Sequence, residues 1–194
     1  MDNFIFFIRE GLFHVLDWNA YDHVLFLIAL VAVYDFGNWK RVLWLISLFT
    51  IGHSFSLILA VYKVVAINAD LIEFLIPVTI LITALANIIY AKNAIKSTKT
   101  TTNLLFALFF GLIHGFAFSS GFKMLVGMSD NKLIPLLEFA FGIELAQILI
   151  VIVILVFGFI FQLFFRLSKR DWTIIVSSIV IGALFPIFKG AIFW

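Results

Sequence analysis

Apolar residues fill six stretches of the chain, roughly 16–36, 42–62, 72–91, 104–126, 134–164 and 172–193, with short polar connections between them. A helix rises about 1.5 Å per residue, so about 20 apolar residues cover a hydrocarbon core of about 30 Å. Each stretch has that length, which predicts an all-α bundle of about six transmembrane helices. The fifth stretch exceeds a simple crossing and is expected to tilt, bend near Gly142 or project beyond the bilayer. Residues 4–13, ahead of the first stretch, are apolar around Arg9 and Glu10. That segment is too short to cross and predicts a short interfacial or re-entrant helix. A single transmembrane domain accounts for residues 1–194.

Composition strengthens the membrane reading. Of the 194 residues, 64% are hydrophobic and 12% charged. A water-soluble domain of this size could not hide so much apolar surface. There is no cysteine, which removes disulfides, thiolate metal sites and thiol nucleophiles. The formal charge of +2 is too small to suggest nucleic acid as a partner. The first 18 residues lack a basic leader and a small-residue cleavage site, so they do not read as a signal peptide.

Lysine and arginine set the orientation. Lys40, Arg41, Lys92, Lys96, Lys99, Arg166, Lys169 and Arg170 fall in connections on one side; Arg9, Lys63, Lys123, Lys132 and Lys189 fall on the other. The richer side is expected to be cytoplasmic, with both termini outside.

Against this background the ionisable residues inside the apolar stretches stand out. His53 lies about 17 Å into its stretch, and His114 and Glu144 each about 15 Å into theirs. All three therefore fall near one level, the bilayer midplane. Such residues are expensive in lipid and usually face a partner or a wet cavity. Gln147 follows Glu144 at i+3 and shares its face. Gly111 and Gly115 have the spacing that lets helices approach closely, beside His114. Thr50, Gly52 and Ser56 give His53 small or polar neighbours, as Gly142 and Ala146 do for Glu144.

Nearer one membrane surface lie His14, Asp17, Asp22 and His23, with Glu73 opening the third stretch. In a continuous helix Asp22 and His23 point about 100° apart and cannot both ligate one ion. They could do so only if the backbone unwinds there, and Asn19 and Ala20 permit that. Imidazole and carboxylate without thiolate suit Ni²⁺, Co²⁺, Zn²⁺ or Mn²⁺. No HExxH, GxSxG or Walker A motif occurs, so the chain does not read as a familiar soluble enzyme. The residues leave three classes open. One is a metal permease; another is a non-transporting membrane subunit whose polar groups fix packing. The third, favoured least, is an intramembrane hydrolase using Ser54 or Ser119.

The motifs taken together resemble the HupE/UreJ family of small bacterial membrane proteins, regarded as nickel or cobalt permeases. The resemblance rests on "DHVLFLIAL" after His14, "FTIGHSFSL" at 49–57, "IEFLIPVTI" at 72–80, "FGLIHGFAFSSG" at 110–121 and "FAFGIELAQ" at 139–147. It implies an inner-membrane permease for a divalent transition metal, with roles for His14, Asp22, His23, His53, Glu73, His114, Glu144 and Gln147. Ala140 and Ala146 stand where the family more often carries asparagine and glycine. The implied partners are the lipid bilayer and the metal ion, with a homo-oligomer or another membrane subunit left open.

Overall fold

The computed structural model describes residues 2–17, 21–65, 68–91, 100–127 and 131–191. The described chain is helical, without strands. The helices are α1 (Asp2–Leu16), α2 (Asp22–Val31), α3 (Trp39–Val61), α4 (Ala69–Tyr90), α5 (Thr100–Val126), α6 (Leu133–Phe165), α7 (Lys169–Ala183) and α8 (Phe185–Ala191). A short 3-10 turn, Phe36–Asn38, leads into α3.

Local chemistry explains several of these boundaries. The Asn68 side chain accepts the N–H groups of Asp70 and Leu71 at the start of α4, and Asn131 does the same for Leu133 and Ile134 at α6. Ser168 accepts the N–H of Asp171 and donates its hydroxyl to the Asp171 carboxylate, closing the first turn of α7. Arg166 ends α6 in the left-handed region, at φ 51°.

Among the described residues, five stretches are long and apolar enough to cross a membrane: Phe36–Val61, Ala69–Tyr90, Asn103–Val126, Leu133–Phe165 and Lys169–Gly190. The crossing expected over 16–36 is different. Its helix, α2, has 10 residues and is about 15 Å long, half a hydrocarbon core. α1 ends at Leu16 and α2 begins at Asp22, so the 16–36 stretch holds only a short helix after the end of α1.

The short helix is anchored by side chains at its far end. Asn87 of α4 donates to the Ala29 carbonyl at 2.7 Å, and Thr173 of α7 reaches the Ala32 carbonyl at 3.1 Å. A helix end away from water needs such partners for its unpaired carbonyls. Just beyond, Lys169 binds the Asp35 carboxylate at 2.7 Å, fixing the α2–α3 connection to the first turn of α7. The ammonium beside it and the Asn38 amide hold the Asp35 carboxyl below its ordinary range.

Glycine permits the two tightest contacts. A side chain on Gly52 would strike the Leu108 carbonyl; one on Gly111 would strike that of Phe49, and one on Gly115 that of His53. The register of the last two shows α3 and α5 running parallel with their backbones in contact. The expected role of the Gly111–Gly115 pair is thereby met. The second contact joins α1 to α6, where Gly11 meets Phe139 and Gly142 meets Ile8. That pairing runs antiparallel, so α1 lies along α6 instead of flat across the bundle. α6 passes through Gly142 as unbroken helix, and this glycine receives α1 where a bend was one expectation.

Candidate metal centre

All four histidines meet where the short helices join the long ones. His14 stands in the last turn of α1 and His23 in the first turn of α2. Their rings approach to 4.6 Å between centroids, and His53 of α3 completes a triangle at 5.6 and 6.1 Å. One ligand atom from each of these three lies within 4.8 Å of the others. His114 of α5 joins through His23, at 5.3 Å between ring centroids. A tetrahedral first-row ion with bonds of about 2.0–2.1 Å separates its ligands by about 3.4 Å. Small ring rotations therefore close the triangle on an ion.

Hydrogen bonds settle which nitrogen two of the rings offer. His23 Nδ1 lies 3.0 Å from the Asp22 carboxylate, and His114 Nδ1 lies 2.9 Å from the Phe110 carbonyl. Neither partner can donate when Asp22 is ionised, so both Nδ1 atoms carry the hydrogen and both Nε2 atoms present a lone pair. Among the described residues those Nε2 atoms are buried without a hydrogen-bond partner, as are His14 Nε2 and both ring nitrogens of His53. Buried nitrogens normally find a partner. Four rings leaving such atoms bare beside one another match the chemistry of a cation site. Imidazole donating its other N–H to a carboxylate or carbonyl is the arrangement that orients metal-binding histidines.

Aromatic rings close the cluster at both ends. Phe118, one turn beyond His114 on α5, lies tilted against His14 at 3.8 Å between centroids and stacks on Phe139 of α6 at 5.3 Å. Phe49, one turn before His53 on α3, stacks on Phe26 of α2 at 4.9 Å, and both lie against His114. Because α3 and α5 run parallel, the two pairs sit on opposite sides of the histidines. The geometry is that of an occluded site.

The carboxylates are distributed otherwise than expected. Asp22 works through His23, accepting its ring and its backbone N–H, so the adjacent pair acts in series. Glu144 stands apart from the histidines. Its carboxylate takes the Ser47 hydroxyl at 2.6 Å and the Thr50 hydroxyl at 2.5 Å, while Gln147 lies 3.0 Å from the same Thr50 oxygen. The reason is steric: α1 packs over Phe139–Ile143 and takes the place beside His53 that Glu144 was expected to fill. Thr50 precedes His53 by one turn, so α3 carries both polar groups. Glu73 is exposed in the second turn of α4, outside the cluster. Asp17 lies just past the end of α1. Among the described residues, the ring nitrogens of His23, His53 and His114 have no serine hydrogen-bond partner. Ser47 and the two phenylalanine pairs were not singled out from the sequence. Ser47, at i−3 from Thr50, was the only one with a readable signal.

A family model described as HupE / UreJ protein matches residues 1–190. The chain belongs to the HupE/UreJ family. No curated protein and no solved structure matches it. Membership and the five long apolar helices make this HupE/UreJ protein a membrane protein, of a family associated with nickel and cobalt transport. The histidine cluster lies within the matched region, and Ala146 is fully buried in the core.

Proposed function

We propose that this protein is a bacterial inner-membrane permease for a divalent transition metal, nickel or cobalt being the favoured cargo. The observation that carries the reading is the set of buried, unpartnered imidazole nitrogens on four helices, enclosed among membrane-crossing segments. His14, His23, His53 and His114 would hold the ion, and Asp22 would fix the His23 ring. Glu73, exposed at the start of α4, would attract cations from the outer side. Glu144 and Gln147, linked to α3 through Thr50, would balance charge as the ion passes. Passage requires the Phe118–Phe139 and Phe26–Phe49 pairs to part in turn, which gives access from one side at a time.

Imidazole binds metal in its neutral form, so loading competes with protons. No ATP-binding motif occurs, so movement would follow the metal gradient or couple to protons. The test is Ni²⁺ and Co²⁺ uptake into proteoliposomes holding wild type or His53→Gln. Loss of saturable uptake in a variant with an unchanged helical spectrum is expected. Equal uptake by the two proteins contradicts the site.

A further inference from the structure

A second feature shares no residue with the histidine cluster. Between α6 and α7, with Ile28 of α2 at its floor, is a cavity of about 560 Å³ walled by Phe157, Phe161, Trp172, Val176 and Ile179. Its lining is almost wholly carbon. Gly158 makes room for it: a side chain there would press on the Trp172 ring at 3.1 Å, and Trp172 in turn lies 6.1 Å from Phe161. The cavity reaches Phe165 and Leu167, at the turn joining the two helices. That turn carries Arg166, Lys169 and Arg170, on the side where Lys and Arg concentrate.

The charges at this mouth are unevenly used. Lys169 is engaged by Asp35, and the nearby Asp171 is engaged by Ser168. Arg166 and Arg170 are exposed and have no acidic partner among the described residues. An apolar slot ending at two unneutralised guanidiniums is complementary to an amphiphile with a long hydrocarbon chain and an anionic head. Tryptophan at the mouth suits the headgroup boundary. A second copy of the chain fits less well, because a two-fold contact through this face would bring the arginines of both copies together.

We infer that the α6–α7 groove binds one anionic phospholipid of the surrounding bilayer. An acyl chain fills the slot beside Trp172, and the phosphate rests on Arg166 and Arg170. Bidentate pairing with phosphate is a property of guanidinium, and basic pockets between transmembrane helices recognise such headgroups. The site is independent of the metal reading, since none of its residues belongs to the histidine cluster.

The experiment uses the full chain in nanodiscs of phosphatidylcholine containing a small fraction of lipid brominated on its acyl chain. Bromine quenches tryptophan fluorescence on contact. Brominated phosphatidylglycerol should quench at a lower mole fraction than brominated phosphatidylcholine, and Trp172→Phe should remove that difference. The Arg166→Gln/Arg170→Gln variant should weaken the phosphatidylglycerol preference about 25-fold. Ile175→Phe, which fills the slot from a lipid-exposed position, should abolish it. Equal quenching by the two lipids overturns the proposal. So does a preference that survives Trp172→Phe or the double arginine change, since the lipid would then bind elsewhere. A dimer at low lipid ratio that Ile175→Phe dissociates would assign the groove to a second copy and overturn it as well.

Discussion

The Asp22–His23 pair offers the most informative single perturbation. Asp22 Oδ1 accepts the His23 backbone N–H at 2.8 Å and its Nδ1–H at 3.0 Å, with the side chains only 18% and 6% exposed. The ring bond places the hydrogen on Nδ1 and leaves Nε2 as the lone-pair nitrogen. Asp22→Ala removes this restraint, so the ring can adopt the other tautomer and another orientation. Loss of a carboxylate behind a metal-binding histidine typically lowers affinity about 10–100-fold, or about 1.4–2.7 kcal/mol. Asp22→Ala is expected near the upper figure. Asp22→Asn keeps an acceptor oxygen without the charge and should fall near the lower one. The assay is calorimetric titration of the purified full chain with Ni²⁺ and Co²⁺, with thermal melts confirming the fold of each variant. A folded Asp22→Ala protein that binds within twofold of wild type would refute the reasoning, because His23 would then need no orientation or would not be a ligand.

Three further perturbations test the supporting structure. Gly115→Ala puts a methyl group into the His53 carbonyl and should destabilise the bundle by about 1–3 kcal/mol in a thermal melt; Gly182→Ala, which meets nothing within 4 Å, should be silent. Thr50→Val keeps the shape but takes one donor from the half-buried Glu144, at a cost of about 1–3 kcal/mol. Its effect should combine non-additively with Ser47→Ala, and simple addition would deny a shared network. Asp35→Asn tests the tie to Lys169. Because folding lowers the Asp35 pKa, its contribution is present above the unfolded value of 3.8 and lost as pH falls through the folded value. Both partners keep water contact, so the loss at neutral pH should stay below about 1 kcal/mol and disappear in acid melts.

The long helices were legible because lipid imposes a simple rule: about 20 apolar residues in a row must satisfy their own backbone. The close approach at Gly111 and Gly115 was legible for a related reason, since small residues four apart expose backbone on one face. The first crossing was not legible. A hydropathy sum over 16–36 has no means of seeing that one helix ends at Leu16 and another begins at Asp22, their ends meeting the long helices. The same arrangement brings His14 and His23 to His53, and so explains why the depth argument found His53 and His114 but paired them with Glu144. Depth is readable from one dimension, whereas the direction a side chain faces depends on packing. Here α1 lies on α6 through Gly11 and Gly142, a contact that no period along the chain announces. The aromatic pairs were hidden among 25 phenylalanines, most of which could serve equally well against lipid.

The central claim is that the four histidines form one cation site. It is tested most directly by anomalous diffraction, at the metal edge, from crystals of the full chain grown with Co²⁺ or Ni²⁺. One anomalous peak among His14, His23, His53 and His114, within bonding distance of at least three Nε2 or Nδ1 atoms, is the predicted result. A peak at Glu144 or Glu73 instead, or no peak among the four rings at saturating metal, would contradict it.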